Sequence, residues 1–162
     1  MDGYYELKNI ISETAKGHIN AAMVWATVKE VDWDKKEMTA TGLTDGLDYY
    51  EVLLGLGGRY VKPKQDSKVL LGVIEDQAQH TILVYADEVE EEIIKVGELI
   101  VEIKNNKLML ENSGQNFKTI IDSLVDQLKN AIIQTPAGPG NFSPADVQAF
   151  EQIKSNINEL LQ

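Results

Sequence analysis

The sequence predicts a mainly β protein that carries helices, with a small barrel followed by a short β segment and a helical pair. Short segments between about 22 and 86 alternate apolar and polar residues, as half-buried strands do. From residue 117 onward, apolar residues instead recur every three or four positions, the spacing of a helix face. The predicted division is an N-terminal helix at 1–20, a barrel at 21–92, a short β segment at 93–112 and a helical hairpin for oligomerisation at 113–162.

Composition narrows the function classes. The 162 residues are 43% hydrophobic, which is typical of a globular chain with one core domain and an appendage. The absence of cysteine excludes disulfides, thiolate metal sites and a cysteine nucleophile, and it fits a reducing cytoplasm. A net charge of −11 and a single arginine, Arg59, argue against binding to phosphate backbones.

Targeting signals are not expected. The first residues, MDGYYELKNIISETAKG, lack the basic start and continuous apolar core of a signal peptide. No apolar run approaches the roughly 20 residues that span a bilayer. We therefore expect synthesis in the cytoplasm without secretion by a signal peptide, and contact with a membrane surface stays open.

A short helix is predicted at the N-terminus. Its apolar residues recur at helical spacing, and Gly17 stands where a C-cap would lie. These residues are Tyr4, Leu7, Ile10, Ile11 and Thr14. The apolar stripe needs a partner surface, either the next domain or another chain.

Five short strands follow within about 65 residues. Asp45-Gly46 is a strong hairpin signal, and a glycine-rich loop ending near Pro63 separates the third strand from the fourth. A closed barrel leaves no strand edges unpaired, and the OB-fold is the usual five-stranded solution. The acidic run at 87–92 is interpreted as a solvated edge or linker. The predicted strands lie at 22–32, 37–43, 48–56, 68–74 and 81–85.

A β-hairpin is predicted within 93–112. Asn105-Asn106 suits a two-residue turn, which would place Ile103 opposite Leu108 and Val101 opposite Leu110. The resulting hairpin has one apolar face, and a lone hairpin is marginally stable in water. We therefore expect that face to be covered.

Two helices complete the chain. In the first, apolar residues step by 4, 3, 4 and 3 from Phe117 to Ala131, the rhythm of a bundle seam, and this helix is expected to run to about Gln134. The second starts after Ser143, an N-cap candidate followed by Pro144. The stripe of the first helix is widened by Ile120, Val125 and Ile132, and that of the second comprises Val147, Phe150, Ile153, Ile157 and Leu160.

These uncovered faces favour association of several copies. Two helices of this length bury little by themselves. Packing of the pair back onto the barrel is the alternative. The predicted oligomer interface comprises Leu99, Val101, Ile103, Leu108, Leu110, Phe117, Ile121, Leu124, Leu128, Phe150, Ile153 and Ile157.

Signals for catalysis are weak. His18 and His80 are the only histidines and lack metal-ligand spacing, and no serine lies in a nucleophile elbow. The glycines at 55–58 have no following Lys-Ser/Thr pair and no helix, so they do not form a phosphate loop. The sequence therefore predicts no catalytic residue, metal or cofactor, and a small hydrolase is the least favoured reading. Aromatic residues such as Trp25 and Tyr85 leave open an OB-fold module that binds single-stranded nucleic acid or an oligosaccharide.

A family resemblance adds a specific expectation. VWATVKEVDWDKKEMTATG (24–42) and the stretch 49–91, with Pro63, Ser67–Leu71 and Ile74–Asp76, resemble the N-terminal OB domain of phage baseplate assembly protein V. That domain also begins the central spikes of contractile tails and type VI secretion. IIKVGELIVEIKNNKLMLEN (93–112) looks like the start of an intertwined trimeric β-helix.

The resemblance implies a structural homotrimer that works with other tail or baseplate proteins in the assembled tail or virion, without nucleic acid as a partner. Spikes of this kind often carry a long β-prism and a metal-bound tip. This chain has no repeated strands beyond 111 and no His-x-His apex. The expectation is therefore a truncated spike, a hub or an adaptor.

Overall fold

A computed structural model describes residues 23–74 and 77–162, without the side chains of 77–79. The helix predicted over 1–20 lies outside these residues. The chain divides into two compact units. The first, the barrel unit, comprises the described residues up to Gly55 and those of Pro63–Glu88, and the second, the sheet–helix unit, comprises Leu56–Lys62 and Val89–Gln162.

The structure is mainly β, with two helices in its described part. The strands are β1 (Met23–Asp32), β2 (Glu37–Gly42), β3 (Asp48–Leu53), β4 (Gly55–Leu56), β5 (Arg59–Pro63), β6 (Lys68–Ile74), β7 (Gln77–Ala86), β8 (Val89–Val96), β9 (Leu99–Lys104), β10 (Lys107–Asn112), β11 (Gln115–Asn116), β12 (Ile133–Thr135) and β13 (Gly138–Gly140). The helices are α1 (Phe117–Lys129) and α2 (Pro144–Leu160).

The barrel unit contains a closed five-stranded barrel in the order β1-β2-β3-β7-β6. Its neighbours are antiparallel except β3 and β7, which pair in parallel through Leu53 and Ile82 and close the barrel. The prediction of a five-stranded OB-like barrel is thereby confirmed. Closure leaves the barrel without a free sheet edge.

Alternation along the barrel strands produces its core. Every second residue points inward, so Ala26 and Val28 on β1 and Val69 and Leu71 on β6 are completely buried. The remaining buried apolar residues of this core are Met38, Ala40, Tyr49, Val52 and Leu54. The core of the barrel is therefore buried within one chain.

A carboxylate organises the turn between β2 and β3. Asp45 accepts hydrogen bonds from the Leu47 backbone N–H at 3.0 Å and the Tyr49 hydroxyl at 2.7 Å, and these two donors lower the pKa of its carboxyl. Burial and the bond to Asp45 raise the pKa of Tyr49 to about 12. The predicted Asp45-Gly46 turn is thus confirmed, with Gly46 in the left-handed region at φ 66°.

The sheet–helix unit is built on a sheet in the order β11-β10-β9-β8-β5-β4. The predicted pairs Ile103–Leu108 and Val101–Leu110 are present between β9 and β10. Asn105 and Asn106 form the turn with φ of 52° and 61°, as predicted for a two-residue hairpin. β8 precedes β9 in the same antiparallel meander.

Two features of this sheet differ from the sequence interpretation. The loop predicted around 55–67 contains β4 and β5, and the acidic run is not a linker because Val89–Val96 forms β8. Neither segment shows the apolar–polar alternation of a strand throughout, because glycines interrupt it in the loop and consecutive carboxylates interrupt it in the acidic run. Gly58 allows this pairing, since a Cβ there would lie 2.5 Å from the Lys95 carbonyl oxygen.

The helical pair is confirmed with corrected bounds. α1 ends at Lys129 rather than near Gln134, and the short hairpin β12–β13 occupies the segment between the helices. α2 starts as predicted, with Ser143 as N-cap in a reciprocal capping box with Asp146. Neither helix of the described chain has the length and apolar character needed to cross a bilayer.

Candidate self-association surface

The sheet–helix unit buries few of its apolar side chains. Among its described residues, Val125 and Leu161 are the buried apolar ones, and Glu91 is the buried charged one. The other apolar residues of its strands and helices are half-buried or exposed. Because exposed apolar area is unfavourable in water, this unit is the place to look for a binding surface.

One face of α1 packs within the unit. Val125 is buried on this face and Ile121 is half-buried, while α1 contacts both α2 and β10. Asp126 accepts from Lys154 of α2 at 2.9 Å, and Lys129 pairs with Glu151 of α2. The bond from Lys154 lowers the pKa of Asp126, and the same bond raises the pKa of Lys154.

An adjacent face of α1 exposes apolar residues to solvent. We call Phe117, Ile120, Leu124 and Leu128 the outer stripe. Their exposed fractions are 43%, 49%, 51% and 38%. Spacings of 3, 4 and 4 place them on one side of the helix.

The C-terminal residues hold α2 against β10. The Gln162 N–H donates to the Leu108 carbonyl at 3.1 Å, and Leu161 makes a parallel bridge to Leu108. The Lys107 ammonium donates to the Asn158 carbonyl at 2.9 Å, near the end of the helix. α2 is therefore joined to the sheet by backbone bonds as well as by side chains.

The twelve predicted interface residues fall into two groups. Those that are half-buried by packing within the unit are Leu99, Val101, Leu108, Leu110, Ile121, Phe150 and Ile157. Those that are exposed are Ile103, Phe117, Leu124, Leu128 and Ile153. α1 brings Phe117, Leu124 and Leu128 together on the outer stripe, whereas Ile103 lies on β9 and Ile153 on α2.

Sequence reasoning missed Ile120 as a surface residue of this stripe. It recognised Ile120 only as a widening of the apolar pattern and placed Ile121 in the interface instead. The separating signal is charge: α1 carries Lys118, Asp122, Asp126 and Lys129 at spacings of 4, 4 and 3, which mark one face. Ile121 lies next to that face and Ile120 lies away from it.

A cleft of about 650 Å³ lies over β8 and the β9–β10 turn and is rich in charge. Lys62 pairs with Glu90 at 3.0 Å, and Lys104 pairs with the buried Glu91 at 2.7 Å. The hydrogen bond that the Lys104 ammonium donates to Glu91 raises the pKa of Lys104. Both ion pairs join neighbouring strands, β5 with β8 and β8 with β9, and such cross-strand pairs stabilise a sheet.

Comparison with known proteins supplies no relative. Neither family models, nor curated proteins, nor solved structures match this chain. Among the described residues, no three His, Asp or Glu side chains are grouped as metal ligands would be. Function therefore has to be inferred from the surfaces described above.

Proposed function

We propose that this protein is a non-enzymatic structural component of a phage tail, a baseplate or a related contractile injection apparatus, where it forms a homotrimeric spike or hub. The supporting observation is the sheet–helix unit, whose strands and helices leave apolar residues half-buried or exposed, whereas the barrel unit has a buried core of its own. Copies that cover one another would remove this area from water.

In this proposal the two units have different roles. The barrel is rigid by itself, because its core is buried and its sheet is closed. Three barrels would therefore serve as a stable ring that contacts other tail proteins. The sheet and helices of the other unit would join the three chains.

The resemblance to baseplate assembly protein V motivates the choice of apparatus. It depends on the barrel stretches 24–42 and 49–91 and on the β segment 93–112. The OB-like barrel agrees with what the resemblance implies, whereas β8, β9 and β10 pair as an antiparallel meander within one chain and do not begin an intertwined β-helix. Copy number is taken from the resemblance, since apolar faces alone imply only some oligomer.

Electron microscopy can test the apparatus. Tail particles from cells that carry the gene would be labelled with an antibody against the barrel unit. We expect label at one end of the tail, and particles lacking the gene product should be incomplete at that end. Complete, unlabelled tails in cells that produce the protein would contradict this assignment.

A binding role for the barrel is the second candidate. Trp25 and Tyr85 are exposed on neighbouring positions of its outer surface, with ring centroids 6.4 Å apart, and the Lys68 ammonium lies 4.1 Å from the Trp25 ring. Such aromatic groups can stack on bases or sugars. Other lysines of the barrel are paired with carboxylates, as Lys29 is with Asp48 at 2.7 Å and Lys64 with Glu88 at 2.6 Å.

Titration separates the two candidates. Fluorescently labelled single-stranded DNA and oligosaccharides would be titrated at low salt, and the anisotropy of the label would be compared between the native chain and Trp25→Ala. Saturable binding that is lost in Trp25→Ala would favour the binding module. No change in the native chain would leave the structural role as the better proposal.

A further inference from the structure

We infer that the outer stripe of α1 is the seam along which copies of this chain meet, with equivalent residues facing one another. The inference rests on the proposed function for the number of copies, but it assigns the contact to one helix face. It selects Phe117, Leu124 and Leu128 from the predicted interface, adds Ile120 and removes Ile121.

The stripe lies in a broad sector of α1 that has no charge. A helix turns by 100° per residue, so Lys118, Asp122, Asp126 and Lys129 lie within about a quarter of its circumference. The exposed residues beside the stripe, Thr119, Ser123 and Gln127, are polar but uncharged. The sector from these residues across the stripe is therefore electrically neutral.

The charged sector of α1 is already used inside the unit. Lys118 pairs with Asp122 along the helix at 3.5 Å, and Asp126 and Lys129 pair with residues of α2. Buried Val125 borders this sector. α1 thus has one face that packs on its own unit and a second face that is exposed among the described residues.

Neutrality favours a second copy as the partner. A symmetric contact brings each patch against its own equivalent, so any charge in the patch would meet a like charge. This chain carries a net charge of −11, and a neutral patch is where two copies can approach without that repulsion. A basic partner would be matched by an acidic face, and the outer stripe offers no carboxylate.

Spacing supports a helical seam. Phe117, Ile120, Leu124 and Leu128 recur over three turns in the manner of core positions in a bundle. If copies are related by rotation about an axis along α1, the helices are parallel and each residue meets its equivalent. Leu124 then lies at the centre of the contact, and Phe117 and Leu128 lie near its ends.

Charge placed in the seam provides the first test. Leu124→Glu introduces two or three like charges at the centre of the contact, and we expect association to weaken by on the order of 100-fold or more. Thr119→Glu is the matched control, because it adds the same charge on an exposed position of α1 outside the stripe. The masses of both full-length variants would be measured by sedimentation, with circular dichroism to confirm folding.

Cysteine crosslinking provides a second test that does not depend on a disruptive substitution. The native chain has no cysteine, so a single introduced thiol can pair only with another copy. Under mild oxidation, Leu124→Cys, Phe117→Cys and Leu128→Cys should each form a covalent dimer, whereas Thr119→Cys should not. For antiparallel helices the end positions would crosslink only in a mixture of Phe117→Cys and Leu128→Cys, which would overturn the parallel seam.

The outcomes separate this inference from the proposed function. A native trimer that Leu124→Glu leaves intact, with no crosslink at Leu124→Cys, overturns the seam but leaves the trimer. A native monomer overturns both. Dissociation of folded Leu124→Glu, an intact Thr119→Glu and crosslinks at the three stripe positions support the seam. If Leu124→Glu unfolds, the crosslinking results alone decide whether the copies meet along the outer stripe.

Discussion

The barrel unit and the sheet–helix unit differ in how many of their apolar side chains they bury. In the barrel, nine apolar residues form one buried cluster, while Val125 and Leu161 are the buried apolar residues among those described in the other unit. The difference lies in closure, since a barrel has an inside and a single sheet has two faces that need covers.

Edges show the same contrast. The barrel has none, whereas the other sheet ends in β11 and β4, each of two residues. Such short edges limit uncontrolled strand pairing. The unit therefore exposes apolar side chains but few unpaired backbone groups at its sheet edges. This combination favours association through side-chain contacts over pairing of edge strands.

The largest expected contrast comes from truncating one leucine in each unit. Leu71→Ala removes a fully buried barrel side chain and should cost about 2–5 kcal/mol of unfolding free energy at any protein concentration. Leu124→Ala should cost less than about 1 kcal/mol in a dilute monomer and more as concentration rises, because binding stabilises the folded state.

Denaturant unfolding at two protein concentrations about 100-fold apart would measure both effects. The contrast between the units fails if Leu124→Ala shows the same loss at both concentrations. It also fails if Leu71→Ala is tolerated, because the barrel would then not carry its own stability.

A substitution at Gly58 would test the strand packing in the sheet of the sheet–helix unit. An added Cβ would lie 2.5 Å from the Lys95 carbonyl at a backbone φ of 142°, so Gly58→Ala should destabilise the unit by roughly 3 kcal/mol. The Lys95 N–H donates to the Gly58 carbonyl at 2.7 Å, and this bond should be strained as well. Hydrogen exchange at Lys95 would report the change.

Gly57→Ala is the matched control for that substitution. Gly57 has φ 70°, but nothing lies within 4 Å of its added Cβ, so only the backbone preference is lost. We expect about 1 kcal/mol. Equal losses at the two glycines would refute the close approach of Gly58 to β8.

The alkaline stability of the barrel depends on Tyr49. Its raised pKa means that the neutral hydroxyl is favoured in the folded state, so this stabilisation is complete below pH 10 and is lost as the pH rises toward about 12. At about 1.4 kcal/mol per pKa unit the loss is roughly 2–3 kcal/mol. The variant Tyr49→Phe has no such titration.

Tyr49→Phe should therefore be less stable than the native chain near neutrality, because Asp45 loses a donor at 2.7 Å. The difference should shrink or reverse as the pH rises from 10 to 12. Urea unfolding across this range would measure it. A constant difference would show that the hydroxyl is not held neutral by the barrel.

The smallest effect is expected at Thr81. Its side chain is buried, and its hydroxyl has no hydrogen-bond partner among the described residues, so Thr81→Val should be neutral or stabilising by up to about 1 kcal/mol. Thr41→Val removes a donor that lies 2.6 Å from Asp48, and it should cost about 1 kcal/mol. Thermal unfolding of both variants would compare them, and a larger loss for Thr81→Val would reveal a missing partner.

The sequence predicts the fold correctly where the spacing of apolar residues agrees with the turn and cap residues that flank it. The alternation in β1 and β6, the Asn105-Asn106 turn and the Ser143 cap each predict their own local structure. The prediction failed at β5, which follows the glycines at 55–58, and at the start of β8, where consecutive glutamates give no apolar alternation. The contacts between these strands, such as Arg59 with Glu92 at 2.8 Å, join residues that are distant in the sequence, so no local pattern contains them.

The candidate surface was only partly predictable for a related reason. Heptad spacing identifies apolar residues on α1 but does not say which of two adjacent faces its own unit covers. The position of α2 decides this, through Asp126 and Lys154. Ile121 and Val125 are consequently turned toward the unit, and Ile120 and Leu124 are left outside.

The solution mass of the full chain, measured by native mass spectrometry or light scattering at micromolar concentration, tests the central claim most directly. The account predicts an assembly of three times the 18.0 kDa of one chain. A clean monomer would contradict it, because the apolar faces of the sheet–helix unit would then be stable without any copy to cover them.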